Sequence, residues 1–401
     1  MTTTINNKHK KLNVPNLRFP EFKGEWEKMR LDAFTKRVMR KNKSNQSRLP
    51  LTISAQYGLV DQVTFFNKIV ASTDLSNYYL LKKGEFAYNK SYSSDYPWGA
   101  IKRLDNYDQG ALSSLYICFT PQDNVVSDFI LQYFESPKWH KGISEIAVEG
   151  ARNHGLLNVS VQDFFHTYHY VPKDKKEQIK ISKLLMLFDE RIATQNKIIE
   201  DLKKLKSAII EIEYTPNTKT TSHIGNVIEQ ISKRNKNNAI QNVLSVSNRQ
   251  GFIKQSDQFE NRNVASEDTS NYKIVEKNDF AFNPARINVG SIARLTTFEK
   301  GIVSPMYICF RTKENVAPEY IDFFFESKHF YCEIQKRLEG SVRQCLSFEG
   351  LCNIPFSLPS LEMQQRIGKR LFTLGQKIKT ETDLLELLNK QKQYLLCQMF
   401  I

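Results

Sequence analysis

Short runs of β-branched and aromatic residues, broken every few positions by Gly, Asn, Asp and Ser, fill residues 22–172 and again residues 222–359. Pro50–Ser54, Tyr78–Leu81, Leu115–Phe119, Val243–Val246 and Met306–Phe310 have the length and composition of strands joined by turns. Ser127–Glu135 and Glu319–Glu326 carry the spacing of short amphipathic helices between them. After each β-rich stretch the period changes. Ile181, Leu185, Phe188, Ile192, Ile199 and Leu202 recur at alternating steps of four and three, as do Ile367, Leu371, Leu374, Ile378, Leu385 and Leu388. Both registers carry polar residues at the same two places, Gln195/Glu381 and Lys206/Lys392. A heptad held this long predicts two helices packed on each other as a coiled coil, over residues 173–213 and 360–401. Some 33 residues of such a helix make a rod of about 50 Å. Pro172 and Pro359 stand just before the helices. Residues 1–21 read as an N-terminal segment and 214–221 as a linker. The expected fold is α+β: two tandem α/β domains, each followed by a long helix.

The chain also repeats itself. Set against itself at a shift of 186 to 194 residues, it matches in five blocks that keep their order. Residues 41–45 (KNKSN) face 234–238 (RNKNN), and 77–89 (NYYLLKKGEFAYN) face 271–283 (NYKIVEKNDFAFN). Residues 99–104 (GAIKRL) face 290–295 (GSIARL), YICF recurs at 116–119 and 307–310, and FES recurs at 134–136 and 325–327. One match of apolar strands can arise by chance; five in order establish a duplicated unit of about 190 residues.

Charge adds a partner. The 401 residues carry 57 Lys and Arg against 43 Asp and Glu, a formal +14. Residues 174–213 and 362–401 hold +1 and +3 of that total, so +10 falls elsewhere, mostly on the globular parts. Near-neutral helices suit protein contacts, whereas basic globular parts suit a polyanion, most simply nucleic acid. No run of about 18 apolar residues is present, and the basic N-terminal segment lacks an apolar core, so neither a membrane span nor a secretory signal is expected, and a cytoplasmic location is. Six cysteines without a CxxC predict neither a disulfide framework nor a zinc site.

Catalytic signatures are missing. There is no GxxxxGK[ST] loop for ATP and no GxGxxG turn for a dinucleotide. Asn283-Pro284 begins like the Asn-Pro-Pro-aromatic motif of adenine N6-methyltransferases, but continues Ala285-Arg286, and its repeat partner is Asn89-Lys90. The histidines form no HxxxH pair; His166 and His169 flank an aromatic strand position and read as structural. Cys118 and Cys309 hold the same place in both copies on apolar strands and read as core. No catalytic residue, metal site or cofactor of its own is therefore assigned to the chain.

Residues suited to DNA fall in two groups. Basic loops bearing Lys41 and Lys43, and Arg234 and Lys236, suit phosphate contacts. Other polar segments differ between copies while their flanks match: Gln56 and Tyr57 face Arg249 and Gln250; Lys90 and Tyr92 stand where the second copy has Arg286 and Asn288; Arg152 and Asn153 lie near the place of Arg343 and Gln344. Lys102, Arg103 and Arg294 complete the candidates. Arg, Asn, Gln and Lys read base edges by hydrogen bonds, and a common frame with different polar loops suits two modules reading two sequences.

Residues 14–22 (VPNLRFPEF) with Trp26, 84–91 (GEFAYNKS), 98–103 (WGAIKR) and 283–290 (NPARINVG), together with the duplicated order of β-rich domain and long helix, resemble the specificity subunits of type I restriction–modification systems over essentially the whole chain. The resemblance implies two target-recognition domains, each reading one half of a split DNA sequence. It implies helices packed antiparallel as a ruler that sets the unread gap. Two methyltransferase subunits would dock on the helical region and two ATP-driven translocase–nuclease subunits would join for restriction, bringing S-adenosylmethionine, ATP and Mg2+ on those partners. Gly368 and Gly375 replace Ser182 and Asp189 of the first helix, at up to about 1 kcal/mol each, which puts equal docking at the two ends in question. Two other functions stay open on the residues alone: a coiled-coil adaptor without sequence-specific DNA binding, and a self-sufficient methyltransferase or nuclease.

Overall fold

The structure is a computed structural model and describes residues 12–68, 70–147, 156–215, 222–248, 250–258, 268–340 and 344–401. The chain divides into two compact units, Met1–Gln195 with Leu384–Ile401, and Asn196–Asp383.

The first unit contains strands β1 (Glu27–Arg30), β2 (Thr35–Arg37), β3 (Pro50–Ser54), β4 (Gly58–Asp61), β5 (Tyr79–Lys82), β6 (Phe86–Asn89), β7 (Ala100–Arg103), β8 (Gln109–Leu112), β9 (Ile117–Pro121) and β10 (Tyr168–Val171). Its short helices are α1 (Gln62–Phe66), α2 (Ser127–Glu135), α3 (His140–Ile146) and α4 (Val161–His166), and helix α5 (Lys175–Tyr214) begins here. The second unit holds β11 (Ile228–Ile231), β12 (Val243–Ser247), β13 (Gly251–Lys254), β14 (Lys273–Glu276), β15 (Phe280–Phe282), β16 (Ile292–Arg294), β17 (Lys300–Val303) and β18 (Ile308–Thr312). Its helices are α6 (Gln255–Gln258), α7 (Pro318–Phe324), α8 (Lys328–Gln335) and α9 (Phe348–Cys352), and α10 (Leu361–Gln398) begins in it. The strand expected over Leu115–Phe119 begins at Ile117, because Tyr116 is held in a turn by a bond from its N–H to the Ser113 carbonyl.

The duplication holds in the two four-stranded sheets of each unit, while the β1-β10 pair of the first unit is reduced in the second to the His223–Pro355 bridge. Sheets ordered β4-β3-β8-β5 and β2-β9-β6-β7 in the first unit correspond to β13-β12-β17-β14 and β11-β18-β15-β16 in the second. Even the single parallel pairing recurs, β3 with β8 and β12 with β17. Strand alternation explains the layering. Phe86, Tyr88 and Phe119 point from one sheet face into a core closed by the helices, while Ala87 and Cys118 point from the other face against the second sheet. Phe280, Phe282 and Phe310 repeat the first set, and Ala281 and Cys309 the second. The Phe86–Phe119 rings stack at 5.3 Å and the Phe280–Phe310 rings at 5.1 Å, each pair worth about 0.5–1.5 kcal/mol beyond its burial. Burial pushes both cysteine thiols up to about 12, as suits inert core positions.

The long helices join these cores at both ends. In the first unit Ile181 and Leu185 of α5 share a core with Leu396 of α10 and with Met399 and Phe400 just beyond it, and Lys392 pairs with Asp189. In the second unit Ile209, Ile210 and Tyr214 of α5 share a core with Ile367 and Leu371 of α10. In each unit the start of one helix therefore lies beside the end of the other, the antiparallel arrangement. Ile199 and Leu388 are buried along the seam, and Phe188, Ile192, Leu202, Leu374, Ile378 and Leu385 are half-buried. Lys206 and Lys392, the polar seam positions, meet acids: Lys206 lies 2.6 Å from Glu326. A Cβ at Gly368 would stand 3.0 Å from that of Glu319, so glycine there permits the close approach of α7; a Cβ at Gly375 would meet open space.

A pair of buried glutamines fixes each long helix to its globular part. Gln178 accepts from the Val126 N–H at 2.7 Å and donates to the Pro172 carbonyl at 2.8 Å. Gln364 accepts from the Ala317 N–H at 2.9 Å and donates to the Pro359 carbonyl at 2.9 Å.

Candidate nucleic-acid interface

The loops that differ between the two copies gather at one edge of each unit. In the second unit the β12–β13 turn brings Gln250 next to the loop between β15 and β16. A Cβ on Gly290 would lie 3.9 Å from that of Asn248, and the Ser291 hydroxyl donates to the Val246 carbonyl at 3.1 Å. The segment following Gln344 joins them, since the Leu346 N–H donates to the Pro284 carbonyl at 3.1 Å. Gln250, Arg286 and Gln344 are exposed there and Asn288 is half-buried. The Arg286 guanidinium has no intramolecular partner among the described residues, which leaves its fork of donors available. Asn283 shapes this loop rather than entering it: its buried side chain accepts from the Ala285 N–H at 3.1 Å. Gly290, at φ +86°, and its counterpart Gly99, at φ +78°, return the chain to the next strand through the left-handed region.

The first unit is built alike. Gln56 and Tyr57 occupy the β3–β4 turn, and β4 lies against β7. Tyr92 is exposed in the loop between β6 and β7. That loop is stapled to the 156–159 stretch by a bond from the Leu157 N–H to the Lys90 carbonyl at 2.9 Å and by the Ser91–Leu156 bridge. Lys90 is half-buried, its ammonium 3.4 Å from the Val159 carbonyl. Asn89 repeats the role of Asn283, accepting from the Ser91 N–H at 3.0 Å.

The basic loops sit elsewhere. Lys41 and Lys43 precede β3 and enter it at Pro50, whereas Gln56 and Tyr57 follow its other end, about 13 Å along at the rise of a strand. Arg234 and Lys236 stand in the same relation to β12. Each loop turns around a buried asparagine: Asn42 bonds the backbone of Ser47, and Asn235 that of Ile240. The cations that follow or precede them are matched as well. Lys41 donates to the Asn77 carbonyl at 2.8 Å and Arg234 to the Asn271 side chain at 2.9 Å, while Lys43 and Lys236 extend into solvent.

Three candidates are ion-paired within their own unit. Lys102 pairs with Glu135 at 2.6 Å, and Arg103 with Asp105 and Asp128, both at 2.7 Å. Arg294 pairs with Glu319 at 2.6 Å and Asp322 at 3.1 Å. All three side chains are largely buried against the helix that follows their sheet, so they brace strand to helix. Arg152, Asn153, Arg249 and Arg343 lie outside the described residues. The sequence pattern had not marked Phe65 and Phe66, both exposed on α1 beside Tyr57; their signal is a pair of adjacent aromatics, which cannot both face the core from one short helix.

Among the described residues no three His, Cys, Asp or Glu side chains are grouped to hold a metal, and no helix is long and apolar enough to cross a membrane. His169 is buried between the Tyr133 hydroxyl at 2.8 Å and the Thr167 hydroxyl at 2.7 Å, and desolvation lowers its pKa to about 3, which keeps it neutral and structural.

Residues 210–390 match the family model described as the type I restriction modification DNA specificity domain. The fold is similar to a crystal structure of a type I restriction–modification system S subunit from M. genitalium, with TM-score 0.58 and 16% identity, over 97% of this chain and 99% of that one. A second similar structure comes from work on complex assembly and conformational transition of the type I R-M system, with TM-score 0.52 and 13% identity, over 92% and 96% of the two chains. Both likenesses are of fold. No curated protein matches the chain.

Proposed function

We infer, from a type I restriction modification DNA specificity domain at residues 210–390 and a second copy of the same frame before it, that this chain is the non-catalytic DNA specificity subunit of a type I restriction–modification complex. Each unit reads one half of a two-part target. The observation that carries this reading is the pairing of identical strand order with different side chains at one edge: Gln56, Tyr57 and Tyr92 in one unit, Gln250, Arg286, Asn288 and Gln344 in the other. Bidentate side chains at such edges discriminate base pairs, while Lys43 and Lys236 are placed to meet phosphate.

Helices α5 and α10 serve partners and spacing. Within the first unit, Leu187 and Leu387 are exposed along a cleft of about 540 Å³, and Tyr394 along an adjoining one of about 480 Å³; the walls of both are mostly apolar, a surface suited to a methyltransferase subunit. Two such subunits would bring S-adenosylmethionine and the adenine chemistry, and translocase–nuclease subunits ATP and Mg2+. A duplicated chain gives two like partners two like surfaces. Such a complex works in the cytoplasm.

The test is co-expression with the neighbouring methyltransferase subunit in a methylation-free host, followed by mapping of N6-methyladenine. The expected result is one two-part motif with a fixed gap, absent when either chain is left out. Methylation by this chain alone would overturn the non-catalytic assignment, and folded, associated subunits that methylate nothing would return the chain to an adaptor.

A further inference from the structure

The β3–β4 turn of the first unit runs into an aromatic cluster. Tyr57 is 68% exposed and Phe65 and Phe66 on α1 are each 43% exposed. Their rings hold one another by edge contacts, Tyr57 to Phe65 at 6.5 Å and Phe65 to Phe66 at 5.0 Å. Three contacting rings left in water form a patch, unlike scattered single residues, and a patch of this kind marks a contact surface. Asp61, the one carboxylate between residues 55 and 68, is occupied in capping α1: it accepts from the Val63 N–H at 3.0 Å and from the Thr64 hydroxyl at 2.5 Å. Lys68 follows the cluster and is exposed. The matching helix of the second unit, α6, reads Gln-Ser-Asp-Gln, so Gln258 stands where the first copy has Phe65. In that respect it behaves as the differing loops beside it do.

We propose that Tyr57, Phe65 and Phe66 form an apolar reading head that packs on thymine 5-methyl groups in the major groove of one half-site. The cluster is continuous with Gln56 at the candidate reading edge, and β4 lies against β7. Its occupant must be both apolar in contact and anionic overall, because most of the +10 outside the helices lies on the globular parts. A DNA groove meets both conditions. The thymine methyl is the apolar group that the major groove displays, and Phe is among the side chains that meet it. This inference rests on the DNA-reading role proposed above, and its test separates the two.

The full chain in complex with its methyltransferase subunit is titrated with target duplexes in which thymines are replaced one at a time by deoxyuridine, which lacks only the methyl group. Wild type is expected to lose about threefold to fivefold in affinity at one or two thymines, all in one half of the target, as befits the burial of single methyl groups. In the double variant Phe65→Ser, Phe66→Ser that penalty falls to unity while reading of the other half is unchanged. Tyr57→Ser, a change at one exposed ring, reduces the penalty without risk to the fold. A wild type indifferent to deoxyuridine, a penalty in both halves, or a penalty that survives in both variants would overturn the proposal. Variants that lose the methyltransferase subunit while wild type shows no deoxyuridine penalty would assign the patch to protein docking instead. A wild-type complex with no sequence preference at all would remove the specificity reading itself.

Discussion

Arg286 and Arg294 flank the same turn between strands and do different work. The Arg294 side chain is 8% exposed and bound to Glu319, Asp322 and Asn278; the Arg286 side chain is exposed and unbound among the described residues. Arg294→Ala is expected to cost about 2 kcal/mol of stability, less than a fully buried pair because Glu319 and Asp322 keep some water, and to leave the methylated motif unchanged. Arg286→Ala is expected to leave the melting temperature unchanged and to relax one half-site by about 1–3 kcal/mol, seen as degenerate bases in a methylation map. Equal relaxation of both halves would contradict modular reading. The sequence shows residue type and spacing but not the direction in which a side chain leaves its strand, which is why Lys102, Arg103 and Arg294 sorted with the reading residues. Their recurrence carried the answer: what two modules for different targets share is the frame, so Arg103 and Arg294, matched in both copies, brace it.

Periodicity made the elements legible: Ser127–Glu135 is a helix over those very residues, and both heptad runs fall in α5 and α10. Sheet order was not legible, because a strand's pattern names its buried face and not its neighbour, and the parallel pairing of β3 with β8 joins segments far apart in the chain. The attachment of each long helix was equally hidden, since a glutamine in a helix pattern reads as solvent-facing. Gln178 and Gln364 instead staple the first turn of α5 or α10 both to the preceding proline and to the start of α2 or α7. Removing either side chain strands a backbone donor and an acceptor, so Gln178→Ala and Gln364→Ala should each cost about 1–3 kcal/mol. Hydrogen exchange localises the effect: faster exchange at Val126 in the first variant and at Ala317 in the second. A uniform loss across both units would argue against separate staples.

At the scale of the whole molecule the two units share a topology and differ in their response to acid. His169, buried in the first unit, has its pKa lowered to about 3 from an ordinary 6.5, and burial also lowers that of His140. The unfolded chain therefore takes up these protons first, and stability present above pH 6.5 is lost progressively as pH falls below it. In the second unit, where the buried Phe356 occupies the corresponding position, burial raises Asp279 and Asp322, so that falling pH favours the folded form. All three tryptophans, Trp26, Trp98 and Trp139, lie in the first unit. Urea unfolding followed by tryptophan fluorescence should shift to lower urea between pH 7 and pH 5, and His169→Gln should blunt the shift; a midpoint independent of pH would exclude the histidine as its source. The first unit also has a schedule of its own. Asn16 bonds Gln398 across 382 residues of sequence, and Trp26 packs its ring on Phe400 at 6.4 Å. A ribosome releases one before it has made the other, so the core of the first unit stays open until residues 384–401 are synthesised, after those of the second unit. During that interval the rings of Trp26, Phe129 and Tyr133, which Phe400 packs on, lack their cover, and exposed apolar surface of that kind is what drives nascent chains to aggregate.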